Sequence, residues 1–109
     1  MSKPAILIVA IAALAVILAP TFARAADDGA TLYQAKCAAC HGVDGAGKPA
    51  AKIPSLVSED VKKATDDDLS DGIANGGAGK KPAHAFQAKG LSPNQIRMIV
   101  SYIRELQKR

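Results

Sequence analysis

The chain has 109 residues and a formal charge of +4, which is enough for one small domain. It contains two cysteines, two phenylalanines, two tyrosines and no tryptophan. Neither a disulfide framework nor a large aromatic core can therefore stabilise it. The basic pairs Lys62-Lys63 and Lys80-Lys81 have no aromatic residues interleaved, which indicates solvated surface rather than a site for nucleic acid.

Residues 1–25 have the parts of a secretory signal peptide in the usual order. A basic start with Lys3 precedes 15 unbroken apolar residues at 5–19, and an A-x-A cleavage site ends at Ala25. Because a membrane span needs about 20 residues, we predict cleavage after Ala25 and a mature domain at 26–109. The removed segment takes two positive charges with it, so the mature charge is +2. The alternative is an uncleaved N-terminal anchor.

The first mature helix is predicted at 29–40. Asp27 or Asp28 can cap its N-terminus. Tyr33 and Cys37 are four residues apart and therefore lie on one helical face. The cysteines of the motif that follows would lie at the C-terminal end of this helix.

The chain then carries Cys37-Ala38-Ala39-Cys40-His41, the Cys-x-x-Cys-His signature of covalent c-type haem attachment. Cys37 and Cys40 can form thioethers with the haem vinyl groups, which leaves His41 under the iron as the proximal ligand. A redox disulfide would need a βαβ context, and the spacing of two cysteines and two histidines fits no common zinc site. A haem would also supply the apolar bulk that the thin core lacks.

The segment after this motif has no helical pattern. Three glycines and a proline mark an irregular loop at 42–49. Residues 53–56 are predicted to be extended, because Pro54 keeps the residue before it out of the helical region.

Two short helices are predicted next, at 58–64 and 65–74. The second begins with a capping box at Thr65. Leu69 and Ile73 are its predicted buried positions. A glycine-rich stretch then leads to the last helix.

The last helix is the clearest element of the sequence. Ser92 is its N-cap, Pro93 takes the first helical position, and Gln95 completes a capping box. One face is an apolar stripe made of Ile96, Ile99, Val100, Ile103 and Leu106. Four basic residues are predicted on the solvent side: Arg97, Arg104, Lys108 and Arg109. Since no stretch alternates as a strand would, the predicted fold class is all-α.

The domain at 26–109 resembles a monohaem class I c-type cytochrome of the small soluble bacterial kind. The resemblance rests on Gly29-x-x-x-Tyr33-x-x-x-Cys37, on Gly42-x-Asp44-Gly45-x-Gly47 after the attachment motif, on Ile53-Pro54-x-Leu56, and on Leu91-Ser92-x-x-Gln95-Ile96 through Tyr102-Ile103. It implies the class I cytochrome c fold, in which the first and last helices cross beside one covalently attached haem c.

The resemblance also implies particular contacts. The two helices would cross at a glycine–aromatic contact made by Gly29, Tyr33, Ile99 and Tyr102. The carbonyl of Pro54 would accept a hydrogen bond from His41. The residues expected to support the haem pocket are therefore Pro54, Leu56, Tyr33 and Tyr102.

One departure from the family concerns the sixth ligand of the iron, which is usually a methionine before the last helix. Here that position has Lys81-Pro82-Ala83-His84-Ala85-Phe86, and the chain contains only Met1 and Met98. Met1 leaves with the signal peptide, and Met98 is predicted to pack within the last helix. The candidates for the distal side are therefore His84, Lys81, or a water-bound or vacant position.

The implied function is electron transfer by a soluble protein that carries one electron on its haem between redox partners, and not an enzyme. We expect a monomer that docks transiently on protein partners and makes no stable membrane insertion once the signal is cleaved. The lysines that could steer acidic partners are Lys36, Lys48, Lys80, Lys81 and Lys89. The predicted location is the periplasm, in a respiratory chain, with a thylakoid lumen or a membrane anchor as alternatives. The alternative function is a haem domain that binds or senses small ligands at an open or displaceable sixth position.

Overall fold

The computed structural model describes residues 22–79 and 81–109. The α-helices in chain order are α1 Phe22–Lys36, α2 Ala38–His41, α3 Glu59–Lys63, α4 Asp66–Asn75 and α5 Pro93–Gln107. Short 3₁₀ helices lie at Pro49–Ala51 and Gly77–Gly79. Most of the predicted signal peptide, Met1 included, and Lys80 lie outside the described residues.

The described residues contain helices and turns but no β-strand. One isolated bridge joins Lys48 to Ile53 within the predicted loop region. Across the described ranges, no helix is both long enough and apolar enough to cross a membrane. The all-α prediction is confirmed.

Helix α5 begins and packs as its sequence predicts. The hydroxyl of Ser92 accepts a hydrogen bond from the amide of Gln95 at 3.2 Å, and the Gln95 side chain accepts one from the amide of Ser92 at 2.9 Å. This reciprocal pair satisfies two donors that a helix start otherwise leaves unpaired. The apolar stripe is buried along its whole length, at Ile96, Ile99, Val100, Ile103 and Leu106.

Helix α1 starts earlier than predicted. It begins at Phe22 rather than near Gly29, because the alanine-rich residues before Gly29 are good helix formers that continue the helix toward the N-terminus. Asp27 and Asp28 therefore lie inside the helix, and the prediction that one of them caps it is wrong for this chain.

Helices α1 and α5 cross in close contact. A Cβ atom added at Gly29 would collide with the backbone carbonyl of Met98 and would lie 3.2 Å from the Cβ of Tyr102. Next to this point the rings of Tyr33 and Tyr102 pack with centroids 5.3 Å apart and planes tilted by 56°. Tyr33 and Ile99 are fully buried. The predicted glycine–aromatic crossing is confirmed.

The two middle helices start at the predicted capping residues. The Ser58 hydroxyl accepts a hydrogen bond from the amide of Val61 at 3.3 Å. Thr65 and Asp68 form the capping box that starts α4, and Gly76 ends this helix in the left-handed conformation. Local side-chain chemistry therefore accounts for both helix starts.

The prediction that Leu69 and Ile73 are buried needs correction. Both side chains are half-buried, and Ala74 is the buried residue of α4. Both side chains border a cavity, and Ile73 also packs against the buried core.

The predicted solvent side of α5 is wrong for Arg104. Its side chain is 23% exposed and extends to the turn between α3 and α4. Nη2 donates a hydrogen bond to the carbonyl of Ala64 at 2.6 Å, and Nε donates to the carboxylate of Asp66 at 2.8 Å. A guanidinium group has five donors in a planar fork, so one side chain can serve several acceptors. The other basic residues of this face are exposed as predicted: Arg97, Lys108 and Arg109.

Gly29→Ala is expected to lower the free energy of unfolding by about 1–3 kcal/mol, because the added methyl group forces α1 away from α5. Thermal unfolding followed by circular dichroism measures the change. Ala35→Leu is the matched control, since Ala35 is exposed on the same helix and leucine is a good helix former. Equal melting temperatures for Gly29→Ala and the wild type would contradict the close crossing.

Candidate haem-binding site

Cys37 lies between α1 and α2, and Cys40 lies within α2. The carbonyl of Cys37 accepts hydrogen bonds from the amides of Cys40 at 3.2 Å and His41 at 2.9 Å. This tight turn separates the two helices, so the prediction of one helix through Cys40 is wrong. Cys37 is buried and Cys40 is exposed, yet both border the same cavity.

The environment of Cys37 does not suit thiol–disulfide chemistry. Burial, and then the neighbouring Cys40, raise the pKa of the Cys37 thiol to about 11. The thiolate is the nucleophile in disulfide exchange, and reactive cysteines have lowered pKa values. Burial therefore makes Cys37 a poor nucleophile for disulfide exchange.

His41 is buried and held in one orientation. Its Nδ1 lies 3.1 Å from the carbonyl oxygen of Pro54, and because a carbonyl can only accept, Nδ1 carries the proton. The other ring nitrogen, Nε2, is then left with its lone pair for a metal. A backbone carbonyl on the second nitrogen is the usual way in which a ligating histidine is oriented.

Gly47 allows the Pro54 segment to approach His41. The amide of Gly47 donates to the carbonyl of His41 at 2.8 Å, and a Cβ atom at Gly47 would lie 2.6 Å from the carbonyl oxygens of both Ile53 and Pro54. Its φ of +76° is also one that other residues rarely adopt. Any side chain here would therefore push the Pro54 carbonyl away from His41.

A cavity of about 380 Å³ is bordered by Cys37, Cys40 and His41 and by residues of α4. Its apolar lining includes Pro54, Leu56, Leu69, Ile73, Phe86 and Ile103. The predicted pocket residues Pro54 and Leu56 thus border the cavity. Tyr33 and Tyr102 are not among its described lining residues and pack instead at the helix crossing.

His84 borders the same cavity from the loop between α4 and α5. The amide of Phe86 donates to the carbonyl of Ile73 at 3.0 Å, which anchors this loop to the end of α4. Ala85 has a φ of +42°, a conformation that costs on the order of 1 kcal/mol for a residue with a side chain. The chain therefore turns sharply directly after His84.

The imidazole rings of His41 and His84 lie close together beside the cavity. The centroids of His41 and His84 are 6.1 Å apart, and their planes differ by 29°. Because a metal–nitrogen bond is about 2 Å long, a separation of this size would allow one metal ion between the two rings. Burial is the main cause that lowers the pKa of His84, and electrostatic repulsion from the protonated form of His41 is the next. His84 is therefore neutral at neutral pH, which is the form that binds metal.

Lys81 and Met98 are placed less favourably for the iron. Lys81 borders the cavity, but it is exposed, and an ammonium group must lose a proton before it can bind a metal. Met98 is not among the described residues that line the cavity, and its carbonyl lies at the helix crossing beside Gly29.

The sequence analysis missed the wall that α4 contributes. Leu69 and Ile73 were predicted as core, and Gly72 was overlooked, but all three border the cavity from one face of α4. Their i, i+3, i+4 spacing identifies the face. The spacing cannot tell whether a helix or a cofactor covers that face, because both require apolar residues.

The Tyr33 hydroxyl joins α1 to the end of α2. It donates a hydrogen bond to the carbonyl of Gly42 at 2.7 Å. Burial is the main cause that raises the pKa of Tyr33 to about 12, with smaller contributions from Cys37, Tyr102 and Asp44. The hydroxyl therefore keeps its proton, and its hydrogen bond, well into the alkaline range.

Two thiols, a fixed imidazole and a second imidazole around an apolar cavity fit a covalently attached haem, and they define a helical haem protein. A family model described as Cytochrome c matches residues 26–107. The chain belongs to the cytochrome c family. A comparison with curated protein sequences finds no match.

Family membership establishes the cofactor and the general activity. The protein binds haem c covalently, and a single haem suits a domain of this size. Its activity at the level of the family is haem-based electron transfer. The packing of the first helix against the last agrees with the class I fold.

Tyr33→Phe is expected to lower the free energy of unfolding by about 1 kcal/mol at pH 7, because the Gly42 carbonyl loses its partner. The folded-state pKa of about 12 lies above the ordinary value of 10.0. The stabilisation is therefore complete below pH 10 and is lost as pH rises through 12. Urea unfolding at pH 7, 10 and 12 measures this change. The free energy of unfolding of the wild type should exceed that of Tyr33→Phe at pH 7, and the difference should disappear at pH 12.

Tyr102→Phe is the control for this experiment. Tyr102 belongs to the same ring pair, and no hydrogen bond of its hydroxyl is seen among the described residues. A pH dependence as large for Tyr102→Phe as for Tyr33→Phe would contradict the assignment to Tyr33.

Proposed function

We propose that this protein is an exported, soluble carrier of single electrons, in which Cys37 and Cys40 attach the haem and His41 and His84 bind its iron. The observation that carries the ligand assignment is the 6.1 Å separation of the two imidazole rings across one cavity. When bound, the haem supplies one-electron exchange between ferrous and ferric iron. In this role no substrate bond is made or broken, so the protein is not an enzyme.

The chain contributes orientation and exclusion of water. The Pro54 carbonyl holds the His41 ring, and the Phe86–Ile73 hydrogen bond fixes the loop that carries His84. Because both ligands lie on anchored segments, little rearrangement is needed between oxidation states. The apolar walls would exclude water from the haem faces that they cover, and such burial is one of the factors that tune a haem's potential.

The proposed docking surface is the mouth of the cavity. Lys36 and Lys81 are exposed and border the cavity, and Lys48 and Lys89 are exposed elsewhere on the described surface. Positive side chains near the redox centre favour approach by acidic partners and increase the association rate. We propose transient docking of a monomer with redox protein partners of a respiratory chain.

The proposed location is the periplasm. The support comes from the sequence, where a basic start, an apolar run and an A-x-A site precede residue 26. The Cytochrome c match also begins at residue 26, which agrees with a domain that starts after Ala25.

The intact mass of the protein purified from the producing cell is expected to equal residues 26–109 plus one haem. Cleavage after Ala25 removes the preceding segment, and thioether bonds survive denaturation. Cys37→Ser and Cys40→Ser together should yield a protein without covalent haem. A mass that includes residues 1–25 would contradict export by cleavage, and a mass without haem would contradict the attachment.

His84→Ala is expected to abolish the low-spin ferric spectrum of two nitrogen ligands, whereas Lys81→Ala should retain it. Near-infrared and magnetic resonance spectra of the ferric proteins distinguish these states. Lys81→Ala is the matched control, because Lys81 borders the same cavity three residues away. If neither substitution changes the spectrum, ligation by His84 is wrong.

Two further measurements on the same proteins separate the proposed function from ligand sensing. The wild-type reduction potential should lie below that of relatives with histidine–methionine ligation, because methionine raises the potential. Carbon monoxide should bind slowly to the wild type and rapidly to His84→Ala. Rapid binding to the wild type would favour a ligand-binding or sensing haem domain instead.

A further inference from the structure

Two polar side chains near the C-terminus of α5 connect the walls of the haem cavity. Arg104 and Gln107 are one helical turn apart, and Nη1 of Arg104 donates a hydrogen bond to Oε1 of Gln107 at 3.0 Å. Both residues are partly buried. Each also reaches across from α5 to a different backbone segment.

Gln107 holds the segment that orients His41. Its Nε2 donates to the carbonyl of Leu56 at 2.9 Å. Leu56 borders the cavity and lies two residues after Pro54, whose carbonyl accepts the hydrogen bond from His41. Gln107 therefore fixes the proximal segment to α5.

Arg104 holds the corner from which α4 starts. Its guanidinium group bonds the carbonyl of Ala64 at 2.6 Å and the carboxylate of Asp66 at 2.8 Å, and lies 3.4 Å from the carbonyls of Val61 and Lys62. These acceptors include the C-terminal end of α3, where a cation is favourable, and the first residue of α4. Arg104 therefore fixes the start of α4 to α5.

The loop that carries His84 is tied to the other end of α4. The carbonyl of Ile73 accepts the amide of Phe86, two residues after His84. Leu69, Gly72 and Ile73 line the cavity between these two ends. A shift at the start of this short helix therefore moves the distal wall and the loop that carries His84.

We propose that Arg104 and Gln107 act as one positioning clamp, which holds the proximal and distal walls at the separation that lets His41 and His84 bind the same iron. The inference rests on the proposed ligation by His84. The two residues do not touch the iron site, and they act through Leu56 and α4. Their mutual hydrogen bond couples the two arms.

Arg104→Met in the holoprotein is expected to increase the rate of carbon monoxide binding to the ferrous form by about tenfold, the size typical for loss of a contact that supports a metal ligand. Arg104→Met should also increase the hydrogen-exchange rate of the Phe86 amide, because this amide bonds the carbonyl of Ile73 at the end of α4. Arg97→Met is the matched control, because Arg97 is exposed on the same helix and bonds Asn94 within it. This control should keep the wild-type rates.

Arg104→Lys tests whether a positive charge alone is sufficient to hold the cavity walls in place. Lysine keeps the charge but lacks the planar fork that serves several acceptors, so Arg104→Lys should also bind carbon monoxide faster than Arg97→Met. It is also the second variant if Arg104→Met does not fold. Gln107→Leu should increase the rate as well, and the double variant should show less than the product of the single effects, because the two residues act together.

The outcomes separate the clamp from the ligation on which it rests. If His84→Ala binds carbon monoxide rapidly while both Arg104 variants behave as Arg97→Met does, the clamp is wrong and the ligation stands. If His84→Ala keeps the wild-type rate, the ligation is wrong and the clamp with it. If Arg104→Met and Gln107→Leu change the rate of carbon monoxide binding independently, so that their effects multiply in the double variant, the two residues do not act as one clamp.

Discussion

The close crossing of α1 and α5 is the constraint on which the rest of the structure depends. Gly29 lets the two helices touch where any side chain would collide with the Met98 carbonyl. The same approach buries Tyr33, whose hydroxyl holds the end of the attachment turn through Gly42. The position of His41 relative to α5 therefore follows from a helix–helix contact rather than from the motif alone.

Helix α5 organises the cavity as well as the core. Its apolar stripe buries against α1 and α4, while Arg104 and Gln107 reach the segments that carry the cavity walls. Such small domains bury little surface on their own. A covalently bound haem would complete the apolar interior, and the half-buried residues Leu69 and Ile73 border the cavity that could hold it.

Features controlled by neighbours in the chain were predictable. The capping boxes at Thr65 and Ser92 form as expected, because their hydrogen bonds join residues three positions apart. The role of Arg104 was not predictable, since its acceptors lie about 40 residues earlier in the chain. Hydrophobicity likewise could not show which face of α4 borders the cavity and which packs in the core, because apolar residues suit contact with either a haem or a helix.

The sequence by itself determined the haem attachment motif and the all-α class, because both follow from residue types at short, fixed spacings. The crossing of the first and last helices was expected from the family resemblance, and the structure confirms it. The distal side is different. The sequence left His84, Lys81 and a vacant or water-bound position as candidates. The folded loop places the His84 ring 6.1 Å from that of His41 and leaves Lys81 exposed, which is why we propose His84. That preference depends on where α4 holds the loop, and the position of α4 is set by long-range contacts with α5 that no local pattern encodes.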